Sequence, residues 1–161
     1  MKFSLLLFNI QSNTNIGQII RTANAFGVDE ICIIGRRKIA TYGNQKTSNS
    51  TKFRHFYIVD DAIHHYRHLN YDLVGIEITE DSQSINVKTF SSNTVFILGN
   101  EGSGIQEDIL KRCDYCVFIP QFGTGASINV NTASGIIFNA FCKNRTDYND
   151  REKYKFTAKN T

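Results

Sequence analysis

A chain of 161 residues with 41% apolar and 20% charged side chains is long enough to bury one good core and too short to need two, so one domain is the expectation. The formal charge of +3 is uneven: residues 1–142 hold 12 basic and 12 acidic side chains, and the excess lies beyond them. No stretch approaches the roughly 20 apolar residues of a spanning helix, and the cysteines, Cys32, Cys113, Cys116 and Cys142, sit mostly in apolar runs. A membrane span and a disulfide scaffold are thereby disfavoured, and a soluble cytoplasmic protein is expected.

In chain order, Phe3 to Phe8 is a continuous apolar run that stops at Asn9, which reads as a buried strand and not as a secretory signal. Ile16, Ile19, Ile20, Ala23 and Phe26 follow at helical spacing, with Asn15 placed to cap and Gly27 to terminate. Ile31 to Ile34 is a second short strand ending at Gly35. Arg36, Arg37, Lys38, Lys46, Lys52 and Arg54 then run without an intervening acid and read as a basic surface loop. Asp60 or Asp61 can cap a helix through about Leu69, and Tyr71 to Ile78 is again strand-like. Val95 to Leu98 is the clearest strand, Ile105, Ile109 and Leu110 mark a short helix, and Val117 to Ile119 is a further strand. Ser127 can cap a last helix through Ala133, Ile136, Ile137, Ala140 and Phe141. Residues 144–161 form a basic tail in which Arg145, Arg151, Lys153, Lys155 and Lys159 alternate with Tyr148, Tyr154 and Phe156.

Short apolar strands alternating with helices predict an α/β fold, a mostly parallel sheet with helices on both faces. In such folds ligands bind beyond the carboxyl ends of the strands, so the segments just after strands are where chemistry is sought. Three stand out. Asn15-Ile16-Gly17-Gln18-Ile19-Ile20-Arg21 places an amide and a fixed cation six residues apart at the start of one helix. Leu98-Gly99-Asn100-Glu101-Gly102-Ser103-Gly104 is a glycine-rich turn after a strand, lacking the lysine of a phosphate loop and the spacing of a dinucleotide fingerprint. Ile119-Pro120-Gln121-Phe122-Gly123-Thr124-Gly125-Ala126-Ser127-Ile128-Asn129 joins the only proline to a polar helix start, where free N–H donors are on offer.

In this order and spacing the three segments resemble the three motifs of the SpoU-type RNA 2′-O-methyltransferases of the SPOUT class. The resemblance spans roughly Phe3 to Phe141 and implies one domain over residues 1–143 whose carboxyl-terminal part is tied in a deep trefoil knot. It implies S-adenosyl-L-methionine as cofactor, held at Ile76, Leu98, Gly99, Gly104, Ile119, Ser127 and Ile128. The catalytic positions it implies are Arg21, Asn15, Glu101, Ser127 and Asn129, with Arg21 beside the cofactor of the opposite subunit of a homodimer. A guanidinium has no acceptor while charged, so Arg21 is better suited to stabilising oxyanion charge or clamping a phosphate than to acting as a base. Gln121, Ile128 and Asn131 depart from the residues common at those positions, and none of the three changes removes a group assigned to chemistry. The RNA-binding domain that many relatives carry ahead of the first strand is not in this sequence. Small members and those with a basic tail often act on tRNA, which is favoured here over rRNA.

Arg36, Arg37, Lys38, Lys52 and Arg54 are the candidate RNA contacts, together with the tail. Cys113-Asp114-Tyr115-Cys116 has metal-like spacing but no second pair, and His64, His65 and His68 lack completing ligands, so no metal is expected. The competing functions are methylation of rRNA, methylation of a base, and a catalytically inactive dimeric RNA-binding protein of the same fold. The joint presence of Asn15, Arg21, Glu101, Ser127 and Asn129 argues against the last.

Overall fold

A computed structural model describes residues 1–35, 51–125 and 127–147. Its strands are β1 (Phe3–Leu7), β2 (Ile31–Ile34), β3 (Phe53–Phe56), β4 (Asp72–Ile76), β5 (Gln83–Ser84), β6 (Thr94–Leu98) and β7 (Tyr115–Phe118). The helices are α1 (Asn13–Ala25), α2 (Val59–His68), α3 (Glu107–Leu110) and α4 (Val130–Cys142). All strands belong to one sheet of order β3-β2-β1-β6-β4-β7-β5, and every pairing is parallel. β6 is central with β1 beside it, and all five residues of each are buried, as a strand covered on both faces and flanked on both edges must be.

Side chains alternate across the sheet and build two cores. Phe3, Leu5 and Leu7 of β1 join Ile31, Ile33, Val74, Phe96 and Leu98 under α1 and α4, while Leu6 joins Cys32, Leu73, Val95 and Ile97 under α2 and α3. The first core is aromatic: Phe3 stacks on Phe138 of α4 at 5.0 Å between ring centroids, and Phe96 meets Phe141 edge-on at 5.7 Å. Such rings fix where α4 lies, and with it the loop that precedes α4. No described helix is long and apolar enough to cross a membrane.

Local details differ from the sequence expectations for identifiable reasons. Ser12, not Asn15, caps α1: its backbone is extended, and its Oγ accepts the Asn15 N–H at 3.2 Å. The side chain of Asn15 is thereby released for other work. Asn129, not Ser127, caps α4, its Oδ1 accepting the Asn131 N–H at 2.8 Å. The α2 cap position is Ile58, without a side-chain cap, and Asp60 and Asp61 fall in the first turn, where their charge meets the free amides. Two strands were not legible. β3 hides at the end of the basic stretch because Phe53 and Phe56 bracket Arg54 and His55 instead of alternating with them, and β5 has only two residues.

Candidate active site

Three neighbouring strands, β6, β4 and β7, release their chains at the same end of the sheet, and the segments that follow them enclose a cleft of about 390 Å³. That is within the range of small-molecule sites, about 300–1,000 Å³. Ile76, Glu77 and Ile78 enter from β4, Leu98 to Gly102 and Gly104 from β6, and Ile119 and Gln121 from β7. Ser127, Ile128, Asn129 and Ala133 close it at the start of α4, and Asn15 reaches it from α1. Phe122, 94% exposed, follows the lining residue Gln121 in the chain.

The turn after β6 is locked by its own backbone. Asn100 and Gly104 exchange N–H···O bonds of 3.0 and 2.9 Å, and the Asn100 Oδ1 accepts the Gly102 and Ser103 amides at 2.9 and 3.0 Å. The Asn100 Nδ2 donates to the Asn9 carbonyl at 3.1 Å, tying the turn to the end of β1. Closure this tight brings the Gly104 carbonyl to where a Cβ on Gly99 would stand, and Gly104 itself sits at φ +69°. Glycine is therefore required at both positions for steric reasons. Sequence reasoning passed over Asn100, although an Asn inside a glycine-rich turn is a turn organiser by its side-chain chemistry.

Glu101 leaves this turn and joins the other segments. Its Oε2 accepts the Gln11 N–H at 3.1 Å, and its Oε1 accepts the Ser12 N–H at 3.1 Å and the Asn15 Nδ2 at 3.0 Å. Asn129 Nδ2 in turn donates to Asn15 Oδ1 at 3.2 Å. The result is a continuous chain Asn129–Asn15–Glu101 that ties the starts of α4 and α1 to the turn after β6. Burial pushes the Glu101 carboxyl up, but the Asn15 amide and the Gln11 and Ser12 backbone donors outweigh that and hold it below the usual carboxylate range.

Of the residues singled out from sequence, Asn15, Ile76, Leu98, Gly99, Glu101, Gly104, Ile119, Ser127, Ile128 and Asn129 all line the one cleft. Arg21 does not. It lies six residues beyond Asn15 on α1, about 9 Å along the axis, exposed and with no hydrogen bond or ion pair among the described residues. Lys52 and Arg54 lie near the amino ends of the strands, away from the cleft, where Arg54 Nε meets Glu30 at 2.8 Å and Lys52 Nζ is 4.0 Å from Asp29. Arg36, Arg37 and Lys38, like the tail beyond Asp147, lie outside the described residues. Glu77 is a cleft residue that sequence reasoning missed, because a lone glutamate after a strand carries no motif.

The cleft walls combine Ile76, Leu98, Ile119 and Ile128 with amides, a hydroxyl and two carboxylates, and among the described residues no Lys, Arg or His lines it. A polyphosphate would be repelled here. A planar apolar base attached to polar, uncharged or cationic groups fits.

The chain resembles known proteins in sequence and in fold. The family model for the SpoU rRNA methylase family matches residues 2–139. The chain belongs to that family. Among curated relatives, the 23S rRNA (guanosine-2′-O-)-methyltransferase RlmB of Acinetobacter baylyi is 29% identical over 152 residues, covering 88% of this chain and 59% of that one. The tRNA (guanosine(18)-2′-O)-methyltransferase of Aquifex aeolicus is 26% identical over 133 residues, covering 80% and 63%. The crystal structure of the AdoMet-bound rRNA methyltransferase from Sinorhizobium meliloti superposes with a TM-score of 0.81 at 22% identity, covering 88% of this chain and 56% of that one. This chain thus spans about three fifths of the length of these two curated family relatives.

Proposed function

We propose that this protein transfers a methyl group from S-adenosylmethionine to a ribose 2′-hydroxyl of RNA, with tRNA favoured over rRNA. The observation that carries the reading is the cleft itself: apolar walls, two carboxylates and, among the described residues, no cation, joined by the Asn129–Asn15–Glu101 chain. A sulfonium nucleoside complements that field, whereas a nucleotide polyphosphate does not. Ile76, Leu98, Gly99, Gly104, Ile119, Ser127 and Ile128 would hold it, and when bound it supplies an electrophilic methyl carbon. Family membership supports the same chemistry, since relatives named for 2′-O-methylation of both tRNA and 23S rRNA match this chain.

The protein's own contribution is positioning and charge. Glu101, fixed by three N–H donors, orients Asn15, and Asn15 orients Asn129, so the polar wall is set before any ligand arrives. Arg21 is exposed and does not reach its own cleft, which supports a homodimer in which it serves the partner's site. There its guanidinium would stabilise the negative charge that grows on the ribose oxygen as the hydroxyl proton passes to solvent water. The reading includes a carboxyl-terminal trefoil knot. Its support is membership of the SpoU family, whose motifs this chain carries in order. Residues 1–143 then form the catalytic domain, which works on RNA in the cytoplasm. The exposed Phe122, next in sequence to the lining residue Gln121, offers a stacking surface for an unpaired base, and the basic stretch and tail offer contacts to phosphates.

The deciding experiment is incubation with methyl-labelled S-adenosylmethionine and total RNA, followed by nucleoside analysis. Label in a 2′-O-methylnucleoside from the tRNA fraction is expected. Label in a base, or none with cofactor bound, would overturn the reading in favour of a base methylase or an inactive scaffold.

A further inference from the structure

We propose that Glu77 recognises the vicinal hydroxyls of a ribose, making it the residue that selects a ribonucleoside ligand in the cleft. The assignment rests on the reading of the cleft as a nucleoside-cofactor site. Glu77 is the first residue beyond β4, the middle of the three strands that feed the cleft, and its N–H donates to the Val117 carbonyl at 3.2 Å. Its side chain is fixed from two loops: Oε1 accepts the Ile78 N–H at 3.0 Å, and Oε2 accepts the Ile105 N–H at 3.1 Å. Gly104 presses so closely on Oε2 that a Cβ there would overlap it. Two backbone amides thus hold the carboxylate against the turn.

One purpose of this arrangement is structural, since it satisfies the amide of buried Ile105. That purpose leaves half of the acceptor capacity unused. Each carboxylate oxygen has two lone-pair directions, and each here receives one backbone amide. Glu77 lines the cleft, and among the described residues no Lys, Arg or His lies within ion-pair distance of it. Two adjacent acceptors, rigid and carrying a charge unmatched by any cation, are complementary to two adjacent O–H donors, and such charge-assisted bonds are the stronger kind. The surroundings favour a sugar over an ammonium group. Ile76 and Ile78, its neighbours in sequence, line the cleft with it, and a base lying on the apolar wall carries its ribose directly attached.

The test uses the full chain and calorimetric titration with S-adenosylhomocysteine, 5′-methylthioadenosine and the 2′- and 3′-deoxy forms of methylthioadenosine. Wild type is expected to bind methylthioadenosine roughly ten- to a hundredfold more tightly than either deoxy form, the range for a hydrogen bond to a charged group. Glu77→Gln is expected to lose most of that preference. A merely structural glutamate would weaken all ligands equally when changed. Equal binding of the ribo and deoxy ligands by wild type, which is read without any variant, overturns the assignment while leaving the cofactor reading intact. Loss confined to S-adenosylhomocysteine in Glu77→Gln also overturns it, since the carboxylate would then face the amino-acid end. Failure of wild type to bind any of the four ligands overturns the proposed function and this inference with it.

Discussion

The Asn15 side-chain amide donates to the Glu101 carboxylate at 3.0 Å across 86 positions of sequence, and this one bond joins the start of α1 to the glycine-rich turn after β6. Its partners identify what each change would cost. Glu101→Gln keeps an acceptor oxygen but loses the charge that meets the Gln11, Ser12 and Asn15 donors. The expected loss of stability is on the order of 1 kcal/mol, because the group is solvent-screened. Chemical denaturation at pH 7 measures it, and an unchanged midpoint would refute the structural part of the role.

The same carboxyl carries a pH signature. Burial works against its ionisation, the N–H donors outweigh burial, and the folded-state pKa lies below the ordinary 4.5. Its contribution is thus fully present above pH 4.5 and is lost as the pH falls through the depressed value. Denaturation of wild type and Glu101→Gln between pH 3 and 6 should show the two stability curves converging in acid. Parallel curves would mean that the carboxylate gains nothing from its donors.

Arg21→Ala should lower methyl transfer by roughly a hundredfold or more, as loss of an oxyanion donor does, with cofactor affinity and dimerisation barely changed. Action in the partner's site has its own test. An equal mixture of Arg21→Ala and Asn129→Ala chains, allowed to exchange subunits, should regain about a quarter of the wild-type sites, because a mixed dimer then contains one intact pairing. No recovery would place Arg21 in its own subunit's chemistry. Near-normal activity of Arg21→Lys would favour simple charge stabilisation over a bidentate phosphate clamp.

Gly99→Ala places a methyl group where the Gly104 carbonyl stands. Overpacking against backbone should destabilise the chain by about 1–3 kcal/mol and abolish measurable cofactor binding. A variant that still binds the cofactor like wild type would show that the turn is not part of the binding surface.

Phe122→Ala removes a ring that is 94% exposed, so the melting temperature should not move. If the ring stacks on an RNA base, affinity should fall by about 1–3 kcal/mol, with the slope of log affinity against log salt unchanged. Deleting residues 146–161 should do the opposite and flatten that slope. An RNA affinity unaffected by both changes would remove Phe122 and the tail from the contact surface.

Most elements were legible because they obey local rules: continuous apolar runs for strands buried on both faces, helical spacing for Ile16, Ile19, Ile20 and Ala23, and a motif order that named the family. The parallel sheet follows from that alternation, and the residues the motifs offered as a cleft do meet in one place. Tertiary structure alone decided the rest. That Ser12 caps α1 and Asn129 caps α4 depends on where the chain enters each helix, and Asn15 is free to meet Glu101 only because Ser12 takes the cap. Glu77 carries no motif, and its importance comes from two backbone amides, one of them 28 positions away. Hydrogen bonds depend on distance in space, and contacts of that range arise only once the sheet has set β6, β4 and β7 side by side.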